Sequence, residues 1–354
     1  MGGNALSVAQ VRLSADRYRP IEAELVQSLS RFLEGSRVDS IRAYAQKPDF
    51  GDLDILVERE VIESLNSDVE DFWSGLRPWI EKVGGVDITP NKDALVSFGF
   101  PLPEGNFFQV DVIQTPACSF ETCCDYFAWN DLGNLMGSIA KAMGMKFGQN
   151  GLLFPLLDGS HLIKEVLISN KTSEILPFLG YDYARWSQGF ETLEDVFRFA
   201  SSSPYFNPAI FDIENLNNKN RVRNKKRKTY MAFLDWLSSG SWQGVPFTFP
   251  EDQRVWVQKA ETAFPEFSSR LLIEKENYQK SREVRRRFNG RMVSEWTGLT
   301  GSALGLAVER VKTEVGQERF ADFVLSSSEN ELKTHVLRIL SQQDLPNTTL
   351  KNRP

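Results

Sequence analysis

Two aspartates stand one residue apart at the start of an apolar run. Residues 52–58 read DLDILVE, and they follow a turn-forming segment that contains Pro48 and Gly51. Side chains of a β-strand alternate between faces, so Asp52 and Asp54 are expected on one face, about 7 Å apart at a rise of ~3.3 Å per residue. The aliphatic residues between and after them then point to the opposite face. A pair of charges at the edge of a buried strand conflicts with local preference, and such conflicts are typical of functional sites.

A third carboxylate comes from a later apolar segment. Residues 107–114 read FFQVDVIQ, a predicted strand whose single acid is Asp111. Carboxylates brought together repel unless a cation lies between them, and Mg²⁺ prefers hard oxygen ligands together with substrate phosphates. We therefore expect Asp52, Asp54 and Asp111 to form a site for Mg²⁺ or Mn²⁺. The alternative is structural: Asp52 caps a turn, Asp54 lies on an exposed edge strand and Asp111 sits in a core salt bridge.

The segments GDLDILVE and VDVI together resemble the catalytic core of the polymerase-β-like nucleotidyltransferase superfamily. The resemblance covers about 75 residues, 40–114, and the sequence around the paired aspartates is most similar to that of family X polymerases and tRNA nucleotidyltransferases. It implies that Asp52 and Asp54 bind the metal ions and a nucleoside triphosphate. It also implies that Asp111 helps to deprotonate the attacking hydroxyl.

The chain departs from this pattern before the paired aspartates. Where the family carries Gly-Ser, this sequence has Ile41 and Arg42. The family's triphosphate cradle must then be replaced by Ser40, Arg42, Tyr44 or Lys47; the alternative is a weakened or inactive site. The predicted cofactor contacts are Ser40, Arg42, Lys47 and Gly51.

The remaining periodicity predicts an α+β fold. Helices are expected at about 17–34 and 67–82, followed by strands at about 85–89, 94–100 and 107–114, a helix at 123–145, and strands at 152–157 and 162–168. This order indicates a nucleotidyltransferase-type mixed or antiparallel sheet with flanking helices over residues 1–178. Strand signals then fade, and helices such as 223–237 predict an all-helical domain over 179–345, which would bind the acceptor. The tail, 346–354, is expected to be loose.

Basic residues are concentrated in two places in the predicted helical domain. Seven of the ten residues 219–228 are Lys or Arg, and a second group ends a long predicted helix at 285–287. Contacts with a nucleic-acid backbone are the functional interpretation, because each neutralised phosphate releases a counterion. A solvated helix face and, for 219–228, a nuclear localisation signal are the alternatives. The predicted nucleic-acid contacts are Arg221, Arg223, Lys225, Lys226, Arg227, Lys228, Arg285, Arg286 and Arg287.

Overall composition narrows the class of protein. The formal charge of −6 argues against a protein that coats nucleic acid along its whole length. Three clustered cysteines and two distant histidines give little material for a disulfide framework or a Cys/His zinc site, and they favour a reducing compartment. No apolar run reaches the ~18 residues of a membrane span, and no signal peptide is evident. The expected location is intracellular and cytoplasmic, or nuclear if 219–228 is a localisation signal.

Together these features predict an enzyme that moves a nucleoside monophosphate from a nucleoside triphosphate to an acceptor hydroxyl. A loose similarity of residues 288–312 to the RNA-binding region of tRNA nucleotidyltransferases and bacterial poly(A) polymerases favours the 3′ end of RNA over DNA as acceptor. One alternative is transfer to a small molecule or a protein side chain. Another is a nucleic-acid-binding relative without catalysis.

Overall fold

The computed structural model describes residues 6–59, 72–91 and 95–341, which form two compact units divided after Ser268. The predicted tail at 346–354 and the predicted beginning of the second helix at 67 lie outside the described residues. The α+β class is confirmed, and the chain ends in a helical region. Within the described ranges, no helix combines the length and the apolar character needed to cross a bilayer.

The strands belong to the first unit and form three sheets. Their bounds are β1 Leu13–Ser14, β2 Val38–Ser40, β3 Asp49–Phe50, β4 Asp52–Glu58, β5 Val86–Asn91, β6 Leu95–Pro101, β7 Phe107–Thr115, β8 Lys146–Gly148, β9 Gly151–Asp158 and β10 His161–Ser169. The main sheet has the order β2-β4-β7-β6-β5, in which β4 and β7 are parallel and the other neighbours are antiparallel. The smaller sheets are β10-β9-β8 and the pair β1-β3.

Among the described residues of the first unit, the helices are α1 Ala15–Phe32, α2 Phe72–Lys82, α3 Phe120–Phe127, α4 Leu132–Ala142, α5 Thr172–Phe178, α6 Tyr183–Ser187, α7 Leu193–Ala200, α8 Asn218–Lys225, α9 Lys228–Ser238 and α10 Arg254–Ala263. The division between the units falls inside α11, Pro265–Arg287. The second unit continues with α12 Gly290–Thr297, α13 Gly301–Val315, α14 Gln317–Ser326 and α15 Glu329–Ser341.

One face of the main sheet is apolar and is covered by helices. Leu53, Ile55 and Val57 of β4 are fully buried there, in a cluster with the buried side chains of α1 and α2. Burial of each of these three aliphatic side chains stabilises the fold by about 1.5–3 kcal/mol, which explains why the strand keeps this register. A slip of one residue would bring the aspartates into the core instead.

The opposite face is only partly covered. Leu56 packs there with Phe120 and Cys123 of α3. Asp52 and Asp54 are four and two residues before Leu56, so their side chains are on the same face of the sheet as Leu56. They lie beyond the contact with α3, towards the amino-terminal end of β4. The alternation of apolar and polar residues thus produces a strand with one side in the hydrophobic core and the two aspartates on the other, partly covered side.

Two predicted helices are interrupted. The helix predicted over 123–145 is instead α3 and α4, separated by Trp129 and Asn130, whose φ angles of 60° and 62° are left-handed and cannot continue a helix. The helix predicted over 223–237 is also two helices, α8 and α9, which meet at Lys226 and Arg227.

The division after Ser268 differs from the predicted boundary after residue 178. Residues 179–268 belong with the sheets because aromatic side chains join them to the first part of the chain. The rings of Phe178 and Phe264 are 5.3 Å apart, and those of Phe154 and Phe267 are 6.0 Å apart. Loss of strand signal therefore marks a change of secondary structure and not the end of a compact unit.

The second unit has its own hydrophobic core. Its buried members are the residue that directly follows α11 and side chains of α12 to α15, namely Phe288, Val293, Val311, Phe320, Val324, Leu332, Val336 and Ile339. Between α12 and α13, Gly298 adopts a left-handed φ of 72°, which ends α12 as glycine commonly does.

Candidate metal centre

The three predicted acids meet on the partly covered face of the main sheet. Asp54 of β4 is directly opposite Asp111 of β7 in the parallel pairing, and Asp52 is opposite Gln109. One carboxylate oxygen from each of Asp52, Asp54 and Asp111 lies within 4.8 Å of the others. The structure therefore joins residues that are 57 positions apart in sequence into one cluster that could hold a metal ion.

Burial and mutual repulsion make this cluster costly without a cation. Burial, and then the charges of Asp52 and Asp111, raise the pKa of Asp54 well above its ordinary value. Burial also raises the pKa of Asp52 and that of Asp111. Three carboxylates with raised pKa values in one place are typical of functional sites.

Lys47 is a cation close to the cluster. Its charge lowers the pKa of Asp52 and of Asp54, which opposes the effect of burial. Its ammonium lies 4.4 Å from the centroid of the Phe50 ring, and burial lowers its own pKa. Arg12 also favours the ionised form of Asp52, but it is hydrogen-bonded through Nε to Asp49 Oδ1 at 2.7 Å. Arg12 is thus already paired with a carboxylate outside the cluster, whereas the Lys47 ammonium contacts an aromatic ring.

The donor set fits a hard divalent cation. All three groups are carboxylates, they converge from two adjacent strands, and their oxygens are near enough to share ions. Mg²⁺ and Mn²⁺ take such oxygen ligands, and one or two carboxylates with substrate phosphates are a usual set for Mg²⁺. The structural alternative, with Asp111 in a core salt bridge, does not fit: Asp111 accepts hydrogen bonds from Gln109 and Ser97.

Other predicted cofactor contacts are placed elsewhere. Ser40 pairs with Ile55, and it therefore lies on the apolar face of the sheet, where it lines a groove of about 450 Å³ between α1 and β2. Arg42 donates to Asp125 Oδ1 at 2.6 Å, and its guanidinium lies 5.1 and 5.0 Å from the rings of Trp129 and Trp186. Neither residue is brought to the three acids, because Ser40 lies on the opposite face of the sheet and Arg42 is held by Asp125.

Tyr44 and Gly51 are buried beside the segment that leads into β4. Gly51 forms the bend between β3 and β4, directly before Asp52. Burial raises the pKa of the Tyr44 hydroxyl. Of the residues predicted to replace the Gly-Ser element, Lys47 is the one whose charged group acts on the acids.

The backbone of this segment is largely engaged by the protein itself. The amides of Ala45 and Gln46 donate to the carbonyls of Phe190 and Glu191, each at 2.9 Å, and the Lys47 amide donates to Tyr44 at 3.2 Å. A backbone cradle for phosphates needs free amides. In this segment, the Lys47 side chain rather than these three backbone amides is therefore available to bind phosphate.

Sequence reasoning missed two residues that contact the cluster. Gln109 and Ser97 are buried and both donate to the Asp111 carboxylate. A signal for Gln109 was present, because it is a polar residue two positions before Asp111 in an apolar strand. Ser97 offers no comparable signal, since its neighbour across the sheet follows only from the β6-β7 register.

The basic residues of 219–228, which are the predicted nucleic-acid contacts together with Lys219, divide into two groups. The three arginines contact the protein: Arg221 donates to Leu216 O at 3.1 Å, Arg223 to Asn134 Oδ1 at 3.4 Å, and Arg227 pairs with Asp131. The four lysines are exposed, and we find no ion pair between them and other described residues. They are Lys219, Lys225, Lys226 and Lys228.

In the second unit, the predicted group at 285–287 is also partly engaged. Arg286 and Arg287 both pair with Glu283, and Arg287 additionally donates to Leu325 O at 3.0 Å. Hydrogen bonds from these two arginines lower the pKa of Glu283 to about 2. Arg285 is exposed.

Neither the models of known protein families nor the curated proteins match this chain. Its chemistry is therefore inferred from the residues and their geometry.

Proposed function

We propose that this chain is a Mg²⁺-dependent nucleotidyltransferase. It would transfer a nucleoside monophosphate from a nucleoside triphosphate to an acceptor hydroxyl and release pyrophosphate. The observation that carries the proposal is the convergence of Asp52, Asp54 and Asp111 on one face of the parallel pair β4-β7. The resemblance of residues 40–114 to polymerase-β-like nucleotidyltransferases supports the same reaction.

Asp52, Asp54 and Asp111 would hold the metal ions. Bound there, the ions would neutralise charge on the triphosphate and on the entering and leaving oxygens. The three carboxylates supply hard ligands in a partly buried place, where electrostatic interactions are stronger than in water.

The protein's own groups have separate parts in the transfer. The acceptor oxygen forms a bond to the α-phosphorus while the bond from that phosphorus to the bridging oxygen breaks, and pyrophosphate leaves. Asp111 accepts the proton of the acceptor hydroxyl on a carboxylate oxygen. Lys47, beside Asp52 and Asp54, donates to non-bridging oxygens of the triphosphate. Most of the rate then comes from positioning and charge stabilisation.

We further propose that the acceptor is the 3′ end of RNA. The four exposed lysines of 219–228 provide positive charge in a chain of net charge −6. The lysine ammonium binds phosphate as a compact point charge, whereas the planar guanidinium of arginine presents a rigid fork of donors that suits bidentate recognition. The arginines of this segment are engaged with the protein, so the lysines favour contact with the backbone and little selection of sequence.

Incubation of the protein with labelled nucleoside triphosphates, Mg²⁺ and bulk tRNA or oligonucleotides tests both proposals. Label on RNA supports them. Label on the protein or on a small molecule would instead assign a different acceptor. Salt-sensitive RNA binding without any transfer would assign a binding protein.

The variant Asp52→Ala/Asp54→Ala should lose transfer while its RNA affinity stays within a few fold of wild type. A matched control is Asp39→Ala, which removes an exposed carboxylate from the neighbouring strand β2. Transfer that persists in the double variant would remove these aspartates from the reaction.

A further inference from the structure

A buried amide lies beside the three acids. Gln109 is only 3% exposed, precedes Asp111 by two residues on β7 and faces the same side of the sheet. In the parallel pairing it is opposite Asp52, while Asp111 is opposite Asp54. Four polar side chains therefore form a rectangle on two strands, with three carboxylates and one amide at its corners.

The amide is directed at one of the carboxylates. Gln109 Nε2 is 3.0 Å from Asp111 Oδ1 and 2.9 Å from Asp111 Oδ2, so one donor serves both oxygens. Each carboxylate oxygen has two lone-pair directions, so these bonds leave positions for a metal ion.

A second donor reaches Asp111 from the other neighbouring strand. Ser97 of β6 is opposite Asp111 in the antiparallel pairing, is 2% exposed, and hydrogen-bonds through its hydroxyl to the Asp111 carboxylate. Both hydrogen bonds lower the pKa of Asp111 and thereby oppose the effect of burial. Donors from β6 and β7 thus fix the carboxylate from two directions.

We propose that Gln109 and Ser97 are positioning residues that hold Asp111 in its metal-binding orientation before the ion arrives. The inference rests on the metal centre of the proposed function. Without these donors, Asp111 would be a buried carboxylate beside two others, and repulsion would favour rotation away from them. Residues that hydrogen-bond to metal ligands usually change metal affinity by about 10–100-fold when they are lost.

The test is a titration of the full chain with Mn²⁺ alone, with free Mn²⁺ measured by electron paramagnetic resonance. Gln109→Leu removes the donor at similar size and is expected to raise the Kd for Mn²⁺ at least tenfold. Ser97→Ala is expected to raise it several-fold. Thr115→Val is the matched control: Thr115 is buried on the same strand and face and bonds to Cys123 rather than to the acids, so its Kd should stay within twofold of wild type.

Circular dichroism and thermal unfolding without metal show whether each variant folds. If Gln109→Leu does not fold, Gln109→Asn carries the test, because its shorter side chain keeps the amide but moves it away from Asp111. A Kd within twofold of wild type in a folded Gln109 variant would overturn the positioning role. Asp54→Asn separates the two proposals: if it binds Mn²⁺ as wild type does, the metal centre itself is wrong and both proposals fail.

Discussion

At the scale of the residue, the three acids carry negative charges whose proximity is unfavourable without a cation. Asp52, Asp54 and Asp111 are close together and partly buried, and the raised pKa values are the electrostatic sign of this arrangement. Selection for stability alone would not place three carboxylates on adjacent strands. A cation bound between them would explain their position.

The first prediction concerns the pH dependence of stability. The pKa of Asp54 is higher in the folded than in the unfolded protein. Below about pH 4, near the ordinary value for aspartate, both states keep the proton; as pH rises, the unfolded state loses it first, so the folded protein is destabilised. In metal-free buffer, the free energy of unfolding of wild type minus that of Asp54→Asn should therefore fall as pH rises through the folded pKa.

Denaturant titrations of both proteins over pH 4 to 8 measure this difference. Saturating Mg²⁺ should reverse the trend, because the metal binds the ionised carboxylates. A difference that is constant with pH in metal-free buffer would show that folding does not raise the pKa of Asp54.

The second prediction concerns Lys47. Lys47→Ala should raise the KM for the nucleoside triphosphate roughly 10- to 150-fold, because one hydrogen bond to a charged group contributes about 1.5–3 kcal/mol and each 1.4 kcal/mol is about a factor of ten. Lys82→Ala, which removes an exposed lysine at the end of α2, is the control and should leave KM unchanged. Steady-state kinetics of transfer decide it, and equal KM values for both variants would exclude Lys47 from triphosphate binding.

At the scale of the element, alternation along β4 and β7 made the cluster predictable. A period of two fixes which residues of one strand share a face, so Asp52 and Asp54 could be placed on one side from sequence alone. That Asp111 lies on the same side follows from the β4-β7 register, which the structure supplies. The segment that precedes β4 could not be predicted in the same way. Its amides bond to Phe190 and Glu191, which are more than 140 positions away, and no local pattern encodes such a contact.

The basic segment shows the same limit. Sequence identifies seven cations in 219–228, but it does not show that the arginines are used within the protein and that the lysines are exposed. The break between α8 and α9 also depends on such contacts, because Arg227 is fixed to Asp131 at the junction. The high density of positive charge was predictable from the sequence. Which of these side chains bond within the protein and which are exposed was not.

The third prediction follows from the exposed lysines. Lys225→Gln/Lys226→Gln should weaken RNA binding and reduce the slope of log affinity against log salt by about 0.7 for each lysine that contacts phosphate. Lys82→Gln/Lys141→Gln removes the same charge from two other exposed positions and is the matched control. Fluorescence anisotropy at several salt concentrations measures the slope, and identical slopes for the two variants would contradict an RNA contact at α8 and α9.

At the scale of the whole molecule, each compact unit has its own hydrophobic core. The first contains the sheets, the three acids and the lysines, and the second contains the core formed from the end of α11 and from α12 to α15. Separate cores allow separate unfolding transitions, since two-state behaviour is a property of single domains. The position of this division was not predictable from secondary structure, because the helices at 179–268 pack with the first unit through aromatic contacts.

The fourth prediction is that divalent metal acts on one unit. Calorimetric unfolding should show two transitions, and Mn²⁺ should raise the midpoint of the one that belongs to the first unit, because a ligand stabilises the structure that binds it. Asp54→Asn should abolish this increase and so identify the transition. An equal increase in both transitions, kept in Asp54→Asn, would place metal binding elsewhere.

We propose that three carboxylates from β4 and β7 bind divalent cations in the presence of a nucleoside triphosphate. The decisive experiment is diffraction from crystals soaked with Mn²⁺ and a non-hydrolysable triphosphate, recorded at a wavelength where manganese scatters anomalously. We expect anomalous density between Asp52, Asp54 and Asp111, with the triphosphate next to Lys47. Density at another position, or none at the three acids while the triphosphate is bound, would contradict the proposal.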